Sequence, residues 1–200
     1  MIITNLKQAV KNPNRVNIFV DGKYEFSLDM TQVVDFGVKV GREITDGELA
    51  ELKKASEFGK LYQRALEWVL MRPRSEKELN DYLRKKIYEK KLNEEFKNSV
   101  YERLKKKGYV NDLRFAEWYV ENRFIKKGVS KTRLRIELTK KGISREIIDE
   151  MLSVRDDEEE IKKIIARKSV KYNDEKLALY LARQGFSYDL IRRMVGKDES

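Results

Sequence analysis

Between Asn122 and Ser144 the chain reads NRFIKKGVSKTRLRIELTKKGIS, in which the single acid is Glu137. Against it stand Arg123, Lys126, Lys127, Lys131, Arg133, Arg135, Lys140 and Lys141. The chemistry open to such a set is pairing with anions. Arginine grips a carboxylate or phosphate through two parallel bonds, whereas lysine acts as a point charge. Leu134, Ile136, Leu138 and Ile143 recur through the stretch, and Leu134 and Leu138 lie four apart, as on one helix face. The basic residues must then fan around the other half of that helix. Further cations precede this segment: Arg84, Lys85, Lys86, Lys90 and Lys91, then Lys105, Lys106 and Lys107 before Gly108. From these, Arg84, Lys85, Lys105, Lys106, Arg123, Lys126, Lys127, Lys131, Arg133, Arg135, Lys140 and Lys141 are the candidate contacts to a polyanionic partner. The competing reading is a solvated face, with Lys105–Lys107 and Arg123–Lys127 complementing helix C-terminal dipoles at ~0.3–1 kcal/mol each.

Composition removes other chemistries. The chain has no cysteine and no histidine, which excludes disulfides, thiolate nucleophiles and imidazole catalysis. It has no phosphate-cradling glycine loop and no Gly-x-Ser-x-Gly, so a non-enzymatic protein without cofactor or metal is expected. Asp156–Glu160 is the one acidic run; at the opening of a helix it suits the dipole. Asp112, just ahead of LRFAEWYV, reads as a helix cap. Arg72 and Arg114 fit ion pairs within the fold as well as a binding role. Trp68, Trp118 and Phe115 fall on apolar stripes and read as core. Tyr109 and Tyr188 are assigned to neither core nor surface. No apolar run approaches the ~20 residues of a membrane span, and MIITNLKQAVKN does not read as a signal peptide. A cytoplasmic monomer is the expectation.

Charge is unevenly placed. The net value is +10, and 39% of residues are charged. Residues 1–60 are neutral, residues 61–110 carry fourteen basic against eight acidic side chains, and residues 111–154 carry ten against seven. The excess lies in the middle of the chain, which points to a localised surface.

The elements that must hold these residues are of two kinds. RVNIFVDGKYEFSL predicts two strands, Arg15–Val20 and Lys23–Leu28, around an Asp21-Gly22 turn, with IITNLKQAV available as a third. Val33, Val34 and Phe36 suggest a short helix before Gly37, and Thr45 with Glu48 predicts a capping box. From residue 60 the chain is helical and repetitive. Polar caps at Asn93, Ser144 and Ser187 share apolar residues at −1, +3, +7 and +8. A helix before each is capped by Ser75, Ser130 and Asn173, with leucines at 79 and 83, 134 and 138, 177 and 181. Glu78 stands in capping-box position to Ser75. A leading helix reads ALEWVL, FAEWYV and IKKIIA. The predicted fold is mainly α: three tandem three-helix repeats forming an elongated, curved body, after a small β-hairpin and helix module. The divisions fall at 1–59, 60–110, 111–154 and 155–200. The first repeat is longer, with its extra residues in IYEKKL (87–92).

RPRSEKELNDYL (72–83), GYVNDLRFAEWYVENR (108–123) and KTRLRIELTKKGIS (131–144), in that order, resemble the RecX family. The resemblance covers nearly the whole chain. One departure is Lys86-Ile87, where the family commonly has Lys-Gly at the end of this helix. The resemblance implies a negative modulator of the RecA recombinase. Such proteins lie in the groove of the RecA–DNA filament and depress its ATPase, strand-exchange and coprotease activities in recombination and the SOS response. The partners implied are the RecA filament and, more weakly, single- or double-stranded DNA. The alternative is a helical DNA-binding protein without a specific protein partner.

Overall fold

The computed structural model describes residues 1–10, 12–126 and 128–196, and of Phe124, Ile125 and Lys126 the backbone alone. Strands β1 (Ile3–Ala9), β2 (Asn12–Val20) and β3 (Lys23–Asp29) form an antiparallel sheet in the order β1-β2-β3. The β2–β3 turn is the predicted one: Asp21 and Gly22 take φ of 47° and 79°, the left-handed pair that a two-residue hairpin needs. IITNLKQAV does supply the third strand. Ile3, Ile18, Val20, Phe26 and Leu28 point to one side and pack with Val38, Ile44 and Leu52.

Helix α1 (Met30–Asp35) is closed by a reciprocal Asp29–Gln32 box. Helix α2 (Asp46–Leu70) opens on the predicted Thr45–Glu48 box: Glu48 N–H donates to Thr45 Oγ1 and Thr45 N–H to Glu48 Oε2. It then runs unbroken through Gly59, where an added Cβ would meet Gln32 Oε1 at 2.7 Å.

The remaining described elements are all helices, as expected. They form α3 (Glu76–Lys90), α4 (Glu94–Lys106), α5 (Asp112–Lys126), α6 (Lys131–Lys140) and α7 (Arg145–Ser153). After these come α8 (Asp157–Lys168), α9 (Asp174–Arg183) and α10 (Tyr188–Val195). All six predicted caps do their work: Ser75, Asn93, Ser130, Ser144, Asn173 and Ser187 each accept from the N–H three residues on. Each such bond is worth about 1 kcal/mol. Leu79, Leu83, Leu134, Leu138, Leu177 and Leu181 are buried. The extra residues of the first repeat lengthen α3 through a buried Ile87. Lys91, not a glycine, takes the positive φ (52°) that Gly142 and Gly185 take after α6 and α9.

Two compact units result, one of Met1–Trp68 with Tyr82–Leu104, the other of Val69–Asp81 with Lys105–Ser200. Phe115 is wholly buried in the core of the second with Leu134, Leu138 and Leu152. Trp118 packs on its edge, and Trp68, half-buried, stacks on Tyr82 at 4.4 Å.

Three expectations are corrected. Asp112 does not cap its own helix; Asn111 does, accepting from Arg114 N–H at 2.9 Å. Asp112 instead accepts from Glu76 N–H at 2.7 Å, capping α3 across the fold. Asp157 does the same for Lys131 N–H of α6 at 2.9 Å. The Ser75–Glu78 box is half made, because the Glu78 carboxylate turns to Arg72 and Lys141. Ile136 does not join the buried stripe and is 51% exposed; two residues from both Leu134 and Leu138, it faces away from them.

Candidate functional site

The basic residues sit on helices, and their surroundings divide them. On α6 a residue turns about 100° from its neighbour, so Arg133 and Arg135 project from opposite flanks of the buried leucine stripe. Arg133 donates to Glu137 at 3.1 Å and to the Arg183 carbonyl at the end of α9. Arg135 pairs with Asp149 of α7. Arg123, on α5, donates to both Glu137 oxygens. Tyr119 completes the set with a 2.9 Å bond to Glu137 Oε2.

Glu137 is therefore a hub. Burial pushes its carboxyl up, but the bonds from Arg123, Tyr119 and Arg133 outweigh this and hold it below the usual range. The same contact raises Arg123. Glu78 is a second hub. Arg72 grips it with two nitrogens at 2.9 and 3.1 Å, and Lys141 approaches at 2.7 Å. Burial again opposes, and these bonds again win, so Glu78 lies low. Lys105 pairs with Glu76 at 2.8 Å.

Arg123, Arg133, Arg135, Lys141 and Lys105 thus face carboxylates of their own chain. Lys106, Lys131 and Lys140 make no side-chain ion pair with another described residue. Lys85 is well exposed and lies 4.0 Å from Glu89. Arg84 lies on the exposed side of α3. Lys127 and the side chain of Lys126 lie outside the described residues.

Three arginines left out of the candidate set line one cavity. Arg72, Arg74 and Arg114 surround a space of about 170 Å³ with Val69, Leu70, Pro73, Gly108, Tyr109 and Asn111. Their positions in sequence, two around Pro73 and one in the first turn of α5, gave no sign of this convergence. Among the described residues no group of carboxylates is arranged to hold a metal ion, and no helix is long and apolar enough to cross a membrane.

Residues 1–45 match the family model described as the regulatory protein RecX N-terminal domain, and residues 111–152 match that of the RecX second three-helix domain. The regulatory protein RecX of Bacillus pumilus is 34% identical over 94% of this chain and 74% of its own length. That of Bacillus subtilis is 35% identical over the same shares, and that of Listeria welshimeri is 33% identical over 96% and 71%. A crystal structure of regulatory protein RecX superposes with a TM-score of 0.68 at 25% identity, covering 98% of this chain and 99% of the other. The RecX structure from Lactobacillus salivarius has the same fold at a TM-score of 0.53 and 24% identity, over 70% of this chain and 96% of its own. Matched over nearly its whole length and in the ordered motifs of its repeats, the chain belongs to the RecX family of regulatory proteins.

Proposed function

We propose that this chain is a negative regulator of the RecA recombinase. It binds the RecA–DNA filament in its groove and lowers ATP hydrolysis, strand exchange and coprotease action, and so damps recombination and the SOS response. The observation that carries the reading is kinship with regulatory RecX proteins over nearly the whole chain. A cytoplasmic setting goes with that role.

The geometry adds a division of labour. Lys106, Lys131, Lys140 and Lys85 have charge to offer an outside partner. Arg123, Arg133, Arg135, Lys105 and Lys141 are held by internal carboxylates, and Arg133 and Arg135 reach a partner by exchanging one anion for another. A filament is engaged by differential affinity: contacts present in one of its conformations shift it toward that state.

The test is RecA's ATP hydrolysis on single-stranded DNA. Substoichiometric amounts of this protein should lower the rate. Inhibition that begins only when the protein is abundant enough to coat and compete for free DNA would sink the reading and favour plain DNA binding.

A further inference from the structure

No carboxylate lines the cavity beside Arg72. Arg72 is fixed in position. Its guanidinium lies over the Trp118 ring at 5.1 Å, and Glu78 and the Pro73 carbonyl take three of its five N–H donors. Arg74 is half-buried two residues on. Burial and the charge of Arg72 both press its pKa down against the weaker pull of Glu78. Arg114 is exposed and makes no ion pair with a described residue. It sits in the first turn of α5, whose dipole adds positive potential at that end. Asn111 and Gly108, whose φ is 72°, bring the α4–α5 turn to the same opening. Tyr109, 39% exposed, forms part of the wall.

These features specify a ligand. Three guanidinium groups around a space that no carboxylate lines favour an oxyanion that accepts several bonds at once, as phosphate does. The space is below the ~300–1,000 Å³ of small-molecule sites, so it suits one group of a larger ligand. An aromatic face beside a phosphate seat is the arrangement by which single strands are held, base on ring and backbone on cations.

We propose that the cavity formed by Arg72, Arg74 and Arg114 seats one backbone phosphate of a single-stranded nucleic acid, with Tyr109 as the stacking surface for an adjoining base. This deepens the regulator reading and rests on it only in taking nucleic acid, rather than a free anion, as the source of the phosphate.

The experiment is fluorescence anisotropy with a labelled oligothymidylate across a salt series. Variants are Arg74→Ala/Arg114→Ala, Arg114→Gln alone, and Tyr109→Leu, each checked by circular dichroism and melting. The control is Lys23→Ala/Lys39→Ala, which removes equal charge from exposed lysines of the N-terminal module. The double arginine variant should weaken binding roughly tenfold or more. Its log–log salt slope should fall by about 0.7, the loss of one phosphate contact. Arg114→Gln, which disturbs no internal pair, should show part of that loss if the double variant folds poorly. Tyr109→Leu should cost roughly fivefold on oligothymidylate and nothing on an abasic strand.

Equal weakening by the lysine control would show that only net charge matters and would overturn the proposal. So would arginine variants that bind the oligonucleotide like the wild type while losing a site for inorganic pyrophosphate seen by NMR, which would make this a free-anion site. Intact RecA inhibition with unchanged oligonucleotide binding in the variants removes the pocket and leaves the regulator reading standing. Loss of inhibition by the wild type does the reverse.

Discussion

Glu137 is the only acid between Asn122 and Ser144, and the fold gives it three partners. Its side chain is 16% exposed, so these bonds are poorly screened. Hydrogen bonds to a charged group contribute about 1.5–3 kcal/mol, more than an exposed ion pair. Glu137→Gln should therefore lower stability by about 2 kcal/mol at neutral pH, read from urea denaturation. A variant equal to wild type at pH 7 would mean that the two arginines find equivalent partners elsewhere. The pH dependence has a definite sign. The folded carboxyl lies below its usual 4.5, so its stabilisation is complete above 4.5 and is lost as the pH falls through the folded value. The gap between wild type and Glu137→Gln should close in that acid range. Little of this was legible in the sequence. Glu137 stands out as the lone acid, but Arg123 and Tyr119 lie 14 and 18 residues away, beyond the reach of any local pattern. Ser130 and Ser144 were legible because a cap and its partner N–H are three residues apart.

At the scale of elements, successive repeats are locked at the N-terminal ends of their second helices. Ser75 Oγ donates to Lys141 O at 2.8 Å across 66 residues, and Ser130 N–H donates to Gln184 O at 3.2 Å. Lys77 lies against Gly142, and Arg133 against Gly185. These glycines were readable as helix ends, but their second duty was not, because the sequence does not show what approaches them. The duty is testable. Gly142→Ala places a Cβ at 2.7 Å from Lys77 Cβ, whereas Gly22→Ala meets nothing within 4 Å. Both have positive φ and share that strain, about 1–2 kcal/mol. Gly142→Ala should cost at least about 1 kcal/mol more, through overpacking. Equal melting losses would show that the repeats are not tightly apposed there. Asp112 gives a second test. Burial raises its carboxyl despite the bond from Glu76 N–H, so its value here lies in the acceptor oxygen rather than the charge. Asp112→Asn should melt like wild type, whereas Asp112→Ala should lose about 1 kcal/mol as α3 loses a cap. Equal loss in both would return the charge to the explanation.

For the whole molecule, the net charge of +10 is the quantity that composition made most prominent, yet it does not say which cations are available. The fold commits Lys105, Arg123, Arg133, Arg135 and Lys141 to internal carboxylates. Reversing those charges would place two acids together as well as remove a contact, and lost activity would then be inseparable from lost stability. Lys106, Lys131 and Lys140 have no such internal role, and substitutions there leave the hubs intact. The triple change to Glu should therefore keep helicity and the melting temperature while weakening inhibition of RecA's ATP hydrolysis at least tenfold. The wild type should lose inhibition as salt rises, and the triple variant should be less salt-sensitive, because fewer counterions are released on binding. Exposed charges change association more than stability, which is why the two readouts separate. Full inhibition by a stably folded triple variant would exclude these lysines as the contact and move it to Arg84 and Lys85 of α3 or to the arginine cavity. The oligonucleotide experiment would then decide between those two places.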